Sequence, residues 1–98
     1  MFEIRRGERG EIVLEGRLDA AQCEKAQSFL DAVDEPRELD LGGLQYISSA
    51  GLGVLLKTQK RVMARGGGLR LVNVNAHIHG IFRYAGFDRI FEVVRAGG

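Results

Sequence analysis

The spacing of apolar residues changes along this chain in a regular way. Phe2 and Ile4 alternate with Glu3 and Arg5, a period of two that predicts a strand. "EIVLEG" (11–16) predicts a second strand, and "GERG" (7–10) between the two reads as a hairpin turn. The spacing then lengthens. Cys23, Ala26, Leu30 and Val33 recur at helical intervals and predict a helix with one buried stripe, closed by Pro36. "LDAAQ" reads as its start, with Asp19 as N-cap and Gln22 as the N3 partner of a capping box. "RELDL" predicts a third strand with Leu39 and Leu41 on one face.

From Ala50 to Arg65 the period is helical again. Leu52, Leu55, Gln59 and Val62 fall along one side, with Leu56 and Met63 beside them. Gly66 stands where a left-handed C-cap is required. "LRLVNV" predicts a fourth strand, and Asn75 is placed to cap a third helix with Ile78, Ile81, Phe82 and Ala85 on its apolar side. Gly86 ends that helix, Phe87 folds back onto its last turn, and "IFEVV" predicts a short last strand.

The order is β-β-α-β-α-β-α-β. Short strand–helix–strand units demand parallel pairing and right-handed crossovers. The expected fold is therefore α/β: a single domain over residues 1–98, with a small mixed sheet and its helices packed on one face. The second face is expected to be bare or lightly covered. No linker, repeat or low-complexity segment divides the chain, and its glycines sit mostly at element boundaries.

Composition narrows the function. A chain of 98 residues builds one core and has little left for a deep active-site cleft. The net charge is +1 with no block of like charges, whereas nucleic-acid binders of this size show a basic stripe. Lys57, Lys60, Arg61 and Arg65 fit the solvated face of a helix. The single Cys23 excludes an intrachain disulfide and favours a reducing compartment. No apolar run resembles a signal peptide or spans a membrane, so a cytoplasmic location is expected.

The chemistry concentrates in "LDLGGLQYISSAGLGVLL" (39–56), where a strand-like run stops at two serines and a helix begins. Ser48 or Ser49 would be the N-cap, a role that stabilises by about 1 kcal/mol. Capping explains one serine, not two. Gly51 and Gly53 weaken the helix start by about 1 kcal/mol each relative to alanine unless something approaches closely. An approaching partner and close packing on the sheet both satisfy that condition. A nucleophilic serine lacks the G-x-S-x-G elbow, and His77 and His79, the only histidines, have no acid placed to orient them. Gly66–Gly68 ends a helix instead of opening one, so it is no phosphate loop, and no Cys, His or acidic cluster has metal-ligand spacing. No cofactor or metal is expected. Phosphorylation remains: a dianion at a helix N-terminus is compatible with the fold but excludes a partner docked there.

At this stretch the chain resembles the STAS domain, and within it the bacterial anti-sigma factor antagonists. The resemblance covers nearly the whole chain: "GRLDA", "LDLGGLQYISSAGLGVLL", the glycine-rich helix end before "LRLVNV", and "AGFDRIFEVV". It implies partner switching, a regulatory role in bacterial signalling without enzymatic activity. The unphosphorylated protein would bind an anti-sigma factor that is also a serine kinase, releasing a sigma factor and so regulating transcription. Phosphorylation would end binding, and a PP2C-type phosphatase would reset the cycle.

Counting back from Gly51–Leu52 places the family's phosphorylated serine at Ser49. Ser48 stands where the pattern often has aspartate, removes a carboxylate and offers a competing hydroxyl. Ala50 replaces a second Ser or Thr, and Gly43 a polar loop residue. Asp19 and Asp40 match acidic residues near the family's partner-binding end. The expected docking surface is Asp19, Asp40, Ser48, Ser49, Ala50, Gly51, Gly53, Val54 and Lys57. Val54 and a bare sheet face leave room for a homodimer. The alternative is a STAS scaffold or accessory subunit: stressosome-like, lipid-transporter or response-regulator. Some STAS domains are suggested to bind nucleotides or other small ligands, and an enzyme is the third class.

Overall fold

The computed structural model describes residues 1–33, 35 and 37–97. The expected helix stop at Pro36 and the terminal Gly98 lie outside the described residues. Five strands form one sheet in the order β1 (Phe2–Arg6), β2 (Ile12–Leu18), β3 (Glu38–Ile47), β4 (Arg70–Val74), β5 (Glu92–Arg95). β1 and β2 form the antiparallel opening hairpin, and the other pairings are parallel. Helices α1 (Cys23–Asp31), α2 (Ser49–Ala64) and α3 (Ala76–Tyr84) are the crossovers. Strand order follows chain order, so right-handed crossovers put all three on one side of the sheet.

Burial separates the two faces. Ile12, Leu14, Leu18, Leu39, Leu41, Leu44 and Leu71 are fully buried beneath Ala26 and Leu30 of α1, Leu55 of α2, and Ile78 and Phe82 of α3. Burying one such leucine or isoleucine stabilises by about 1.5–3 kcal/mol. The opposite face is open and charged. Across it Arg70 bonds Glu38 (2.7 Å) and Glu92 (2.8 Å), an ion-pair ladder over three strands. The hydrogen bond donated to Glu92, then the charges of both carboxylates, push the guanidinium's pKa further up.

Two sequence expectations need correction here. The capping box does not form. Ala20–Gln22 makes a 3-10 turn ahead of α1, and Asp19 makes no side-chain cap. The Gln22 backbone N–H donates to Asp19 O (3.1 Å), so the backbone itself closes the turn. The apolar stripes are also trimmed at their ends. Met63 and Ala85 are exposed, although Val62 and Phe82 in the same last turns stay buried; Ala85 is the C-cap that follows α3. The C-cap of α2 is as expected. Gly66 has φ +88°, and Gly66 and Gly67 donate back to Met63 O and Val62 O in a Schellman arrangement.

Two polar clamps, one buried and one half-buried, fix the helices, and the apolar pattern does not announce either. The Gln59 side chain, counted on the apolar side of α2, accepts from Leu69 N (2.8 Å) and donates to Ile90 O (2.8 Å). It ties α2 to the chain entering β4 and β5. Arg61 donates to Leu30 O (2.6 Å) and Val33 O (3.2 Å) at the end of α1, a cation on a helix C-terminus.

Replacing Gln59 by leucine leaves the buried Leu69 amide, and the half-buried Ile90 carbonyl, without this partner. The expected cost is about 1–3 kcal/mol in urea denaturation. A loss under about 0.5 kcal/mol, the range of an ordinary surface substitution, would show that the clamp contributes little.

Candidate functional site

The site is built where β2 and β3 end side by side. From Ile12 paired with Leu39 to Leu18 paired with Ile47, β3 uses two more residues than β2, and the pairing shifts twice, between Val13 and Glu15 and between Gly16 and Arg17. Each shift is a bulge with one extra β3 residue. The first falls at Gly42–Gly43, where a Cβ on Gly43 would lie 2.9 Å from Glu15 Cγ. The Asp40 carboxylate secures the same bulge, accepting from Gly42 N (2.9 Å) and from Asn73 Nδ2 (3.0 Å).

The bulges turn Ile47 into the core and bring Ser48 to the end of β2. The Ser48 N–H (2.9 Å) and its hydroxyl (3.1 Å) both donate to Leu18 O. The same hydroxyl accepts from Gly51 N (3.1 Å), and Ser48 has the extended backbone of an N-cap (φ −83°, ψ 169°). The two serines therefore differ in kind. Ser48 is half-buried, with its hydroxyl used on both sides. Ser49 is the first helical residue, is exposed, and has no side-chain hydrogen bond among the described residues.

The glycines divide likewise. A Cβ on Gly51 would lie 2.8 Å from Ile47 Cγ1 and 3.0 Å from Leu18 O, so Gly51 is buried and lets α2 sit tightly on the ends of β2 and β3. A Cβ on Gly53 would meet nothing within 4 Å, and Gly53 is exposed. Close packing on the sheet explains the first glycine and leaves the second unexplained by the fold.

Three residues of the expected docking surface leave it. Val54 is 7% exposed and belongs to the core, because α2 buries Val54 and Thr58 beside Leu55 and Gln59. Its expected part in self-association goes with it. Gly51 is enclosed as described. Asp40 lies on the open sheet face, seven residues before Ile47 on the same strand, roughly 20 Å from the serine turn at about 3.3 Å per residue. Asp19, Ser48, Ser49, Ala50, Gly53 and Lys57 remain together. Asp19 directly follows Leu18, whose carbonyl holds Ser48, and its Oδ1 is buried without a hydrogen-bond partner among the described residues. The exposed Ala20 and Ala21 of the adjoining 3-10 turn extend the small-residue surface; "LDAA" carried that signal in the sequence.

Grooves of about 430, 380 and 450 Å³ take no lining residue from the serine turn. Among the described residues no group of three His, Cys, Asp or Glu side chains is placed to hold a metal, and no helix is long and apolar enough to cross a membrane.

This geometry separates the pairs by mutation. Ser48→Ala is expected to cost about 1 kcal/mol in thermal or urea unfolding as a lost N-cap. Ser49→Ala should stay within about 0.5 kcal/mol of wild type, as a surface change. Gly53→Ala should stabilise by up to about 1 kcal/mol through helix propensity, whereas Gly51→Ala should destabilise by about 1–3 kcal/mol through overpacking. Equal effects within either pair would contradict the assigned roles.

The family model described as "Mlab, STAS domain" matches residues 2–95. Among named relatives, BtrV of Bordetella bronchiseptica, a candidate anti-sigma factor antagonist, is 37% identical over 87 residues, 85% of this chain and 75% of that protein. The anti-sigma F factor antagonist of Paenibacillus polymyxa is 28% identical over 87 residues, 84% of this chain and 74% of that one. Two solved structures share the fold. The Thermotoga maritima protein tm1081 superposes with a TM-score of 0.78 at 21% identity, over 96% of this chain and 86% of that one. Bacillus SpoIIAA in its phosphorylated form gives 0.67 at 20% identity, over 95% and 90%. On the family match along almost its whole length, this chain belongs to the STAS domain family.

Proposed function

We propose that the protein is an anti-sigma factor antagonist working by partner switching. Its unphosphorylated form binds an anti-sigma factor serine kinase over Asp19, Ser49, Ala50, Gly53 and Lys57. Phosphorylation of Ser49 ends that binding, and a PP2C-type phosphatase restores it, all in the cytoplasm. The names of its relatives support the class of function. The observation that carries the site is the division of labour between the serines. Ser48 spends its hydroxyl on Leu18 O and Gly51 N, while Ser49 offers a free hydroxyl at an exposed position.

The physics of the switch follows from that position. A phosphate on Ser49 carries nearly two negative charges and adds three acceptor oxygens. It sits at the positive end of the α2 dipole, where a negative charge is stabilised by about 0.3–1 kcal/mol. Ser48 already closes the cap, so phosphorylation displaces no structural bond. A partner seated on Ala50 and Gly53 would meet a bulky, solvated dianion, so binding is lost while the fold survives.

Ser49→Asp is expected to abolish binding to the cognate anti-sigma factor kinase in a pull-down or calorimetric titration, with circular dichroism and melting temperature close to wild type. Binding equal to wild type would remove Ser49 as the switch.

A further inference from the structure

The charges of this chain contain no run of one sign, yet they are sorted by position. Between Asp40 and Asp88 lie 47 residues with Lys57, Lys60, Arg61, Arg65, Arg70 and Arg83 and no Asp or Glu. The rest of the chain carries all 13 acidic residues and only eight basic ones. Both α2 and α3 fall inside the acid-free segment. Two of its cations are committed elsewhere: Arg61 to the carbonyls ending α1, and Arg70 to Glu38 and Glu92 on the open sheet face. Lys57 and Lys60 are exposed and make no ion pair among the described residues. They continue the outward stripe of α2 that runs Ala50, Gly53, Lys57, Lys60 from the turn bearing Ser49.

We propose that this stripe is an electrostatic docking surface for an acidic face of the partner kinase, with partner carboxylates over Lys57 and Lys60 and partner backbone lowered onto Ala50 and Gly53. The inference rests on the reading of Ser49 as the switch and adds the chemistry of the partner. The open space beside Gly53 lets a backbone approach. Beyond it, the two lysines supply an attraction that no carboxylate on α2 or α3 offsets. A phosphate on Ser49 then acts twice. It blocks the close approach, and it sets negative charge on the same stripe, roughly 12 Å from Lys57 at 1.5 Å per residue, facing the partner's acidic groups. A protein fits this surface better than a bilayer does, because no large apolar side chain stands among the exposed residues from Ser49 to Lys60 to enter acyl chains.

The experiment compares wild type, the double variant Lys57→Glu/Lys60→Glu, the double variant Lys57→Arg/Lys60→Arg, and Ser49→Asp. Each is measured for association with the cognate anti-sigma factor kinase at low and physiological salt. Charge reversal is expected to weaken binding by about tenfold or more, mainly through a slower association rate, and to flatten the salt dependence seen in wild type. The arginine pair should stay within about twofold of wild type, since it keeps the charge. Unchanged circular dichroism shows that folding is not the cause.

Wild-type binding by the charge-reversed protein, with Ser49→Asp still inactive, overturns the docking surface and removes Lys57 from the binding site, and leaves partner switching through Ser49 standing. Wild-type binding by Ser49→Asp removes that function and this inference with it. Sedimentation with phosphatidylglycerol vesicles, or a dimer in analytical ultracentrifugation, that charge reversal abolishes while kinase binding is unaffected assigns the stripe to lipid or to a second copy, and likewise overturns the proposal.

Discussion

Between the pairs Ile12–Leu39 and Leu18–Ile47, β3 takes eight residue steps where β2 takes six, and the two extra residues decide how the serine turn is built. A strand in strict register would reach the end of β2 with a different residue facing the Leu18 carbonyl. With both bulges in place, Ile47 enters the core and Ser48 meets that carbonyl through its N–H and its hydroxyl. α2 then starts from a fixed point, and Gly51 lets its first turn sit on the strand ends without a side chain between them.

That anchoring permits a switch that does not disturb the fold. The first turn of α2 is held by Ser48 and Gly51, both facing inward, while Ser49, Ala50 and Gly53 face outward with nothing structural to do. The residues that hold the fold and those of the proposed recognition surface are thus separate sets within one short segment. A modification on the outward set changes the surface and leaves the buried hydrogen bonds intact. The polar clamps of Gln59 and Arg61 hold the rest of α2 against its neighbours and support the same rigidity.

The element order was legible in the sequence because the apolar period switches cleanly between two and 3.6, and because Gly66, Asn75 and Gly86 punctuate it where the structure needs them. The bulges were not legible. Gly42–Gly43 reads as a breaker, and only the register with β2 reveals that the strand runs on through it. The Asp19–Gln22 box failed because the chain closes that turn with a backbone bond of 3-10 type, which a spacing rule cannot foresee. Val54 was misplaced for a different reason. Helical spacing groups it with Gly53 and Lys57, but α2 buries a face wide enough to include it. Asp40 sat near Ser49 by family pattern and lies far along the strand in space, holding a bulge.

The central claim is that the inward serine is a cap and the outward serine an acceptor. Tandem mass spectrometry of the protein, after incubation with its cognate kinase and ATP, tests this directly. The account predicts phosphate on Ser49 and none on Ser48. Phosphate on Ser48, or on neither serine despite tight kinase binding, would contradict it.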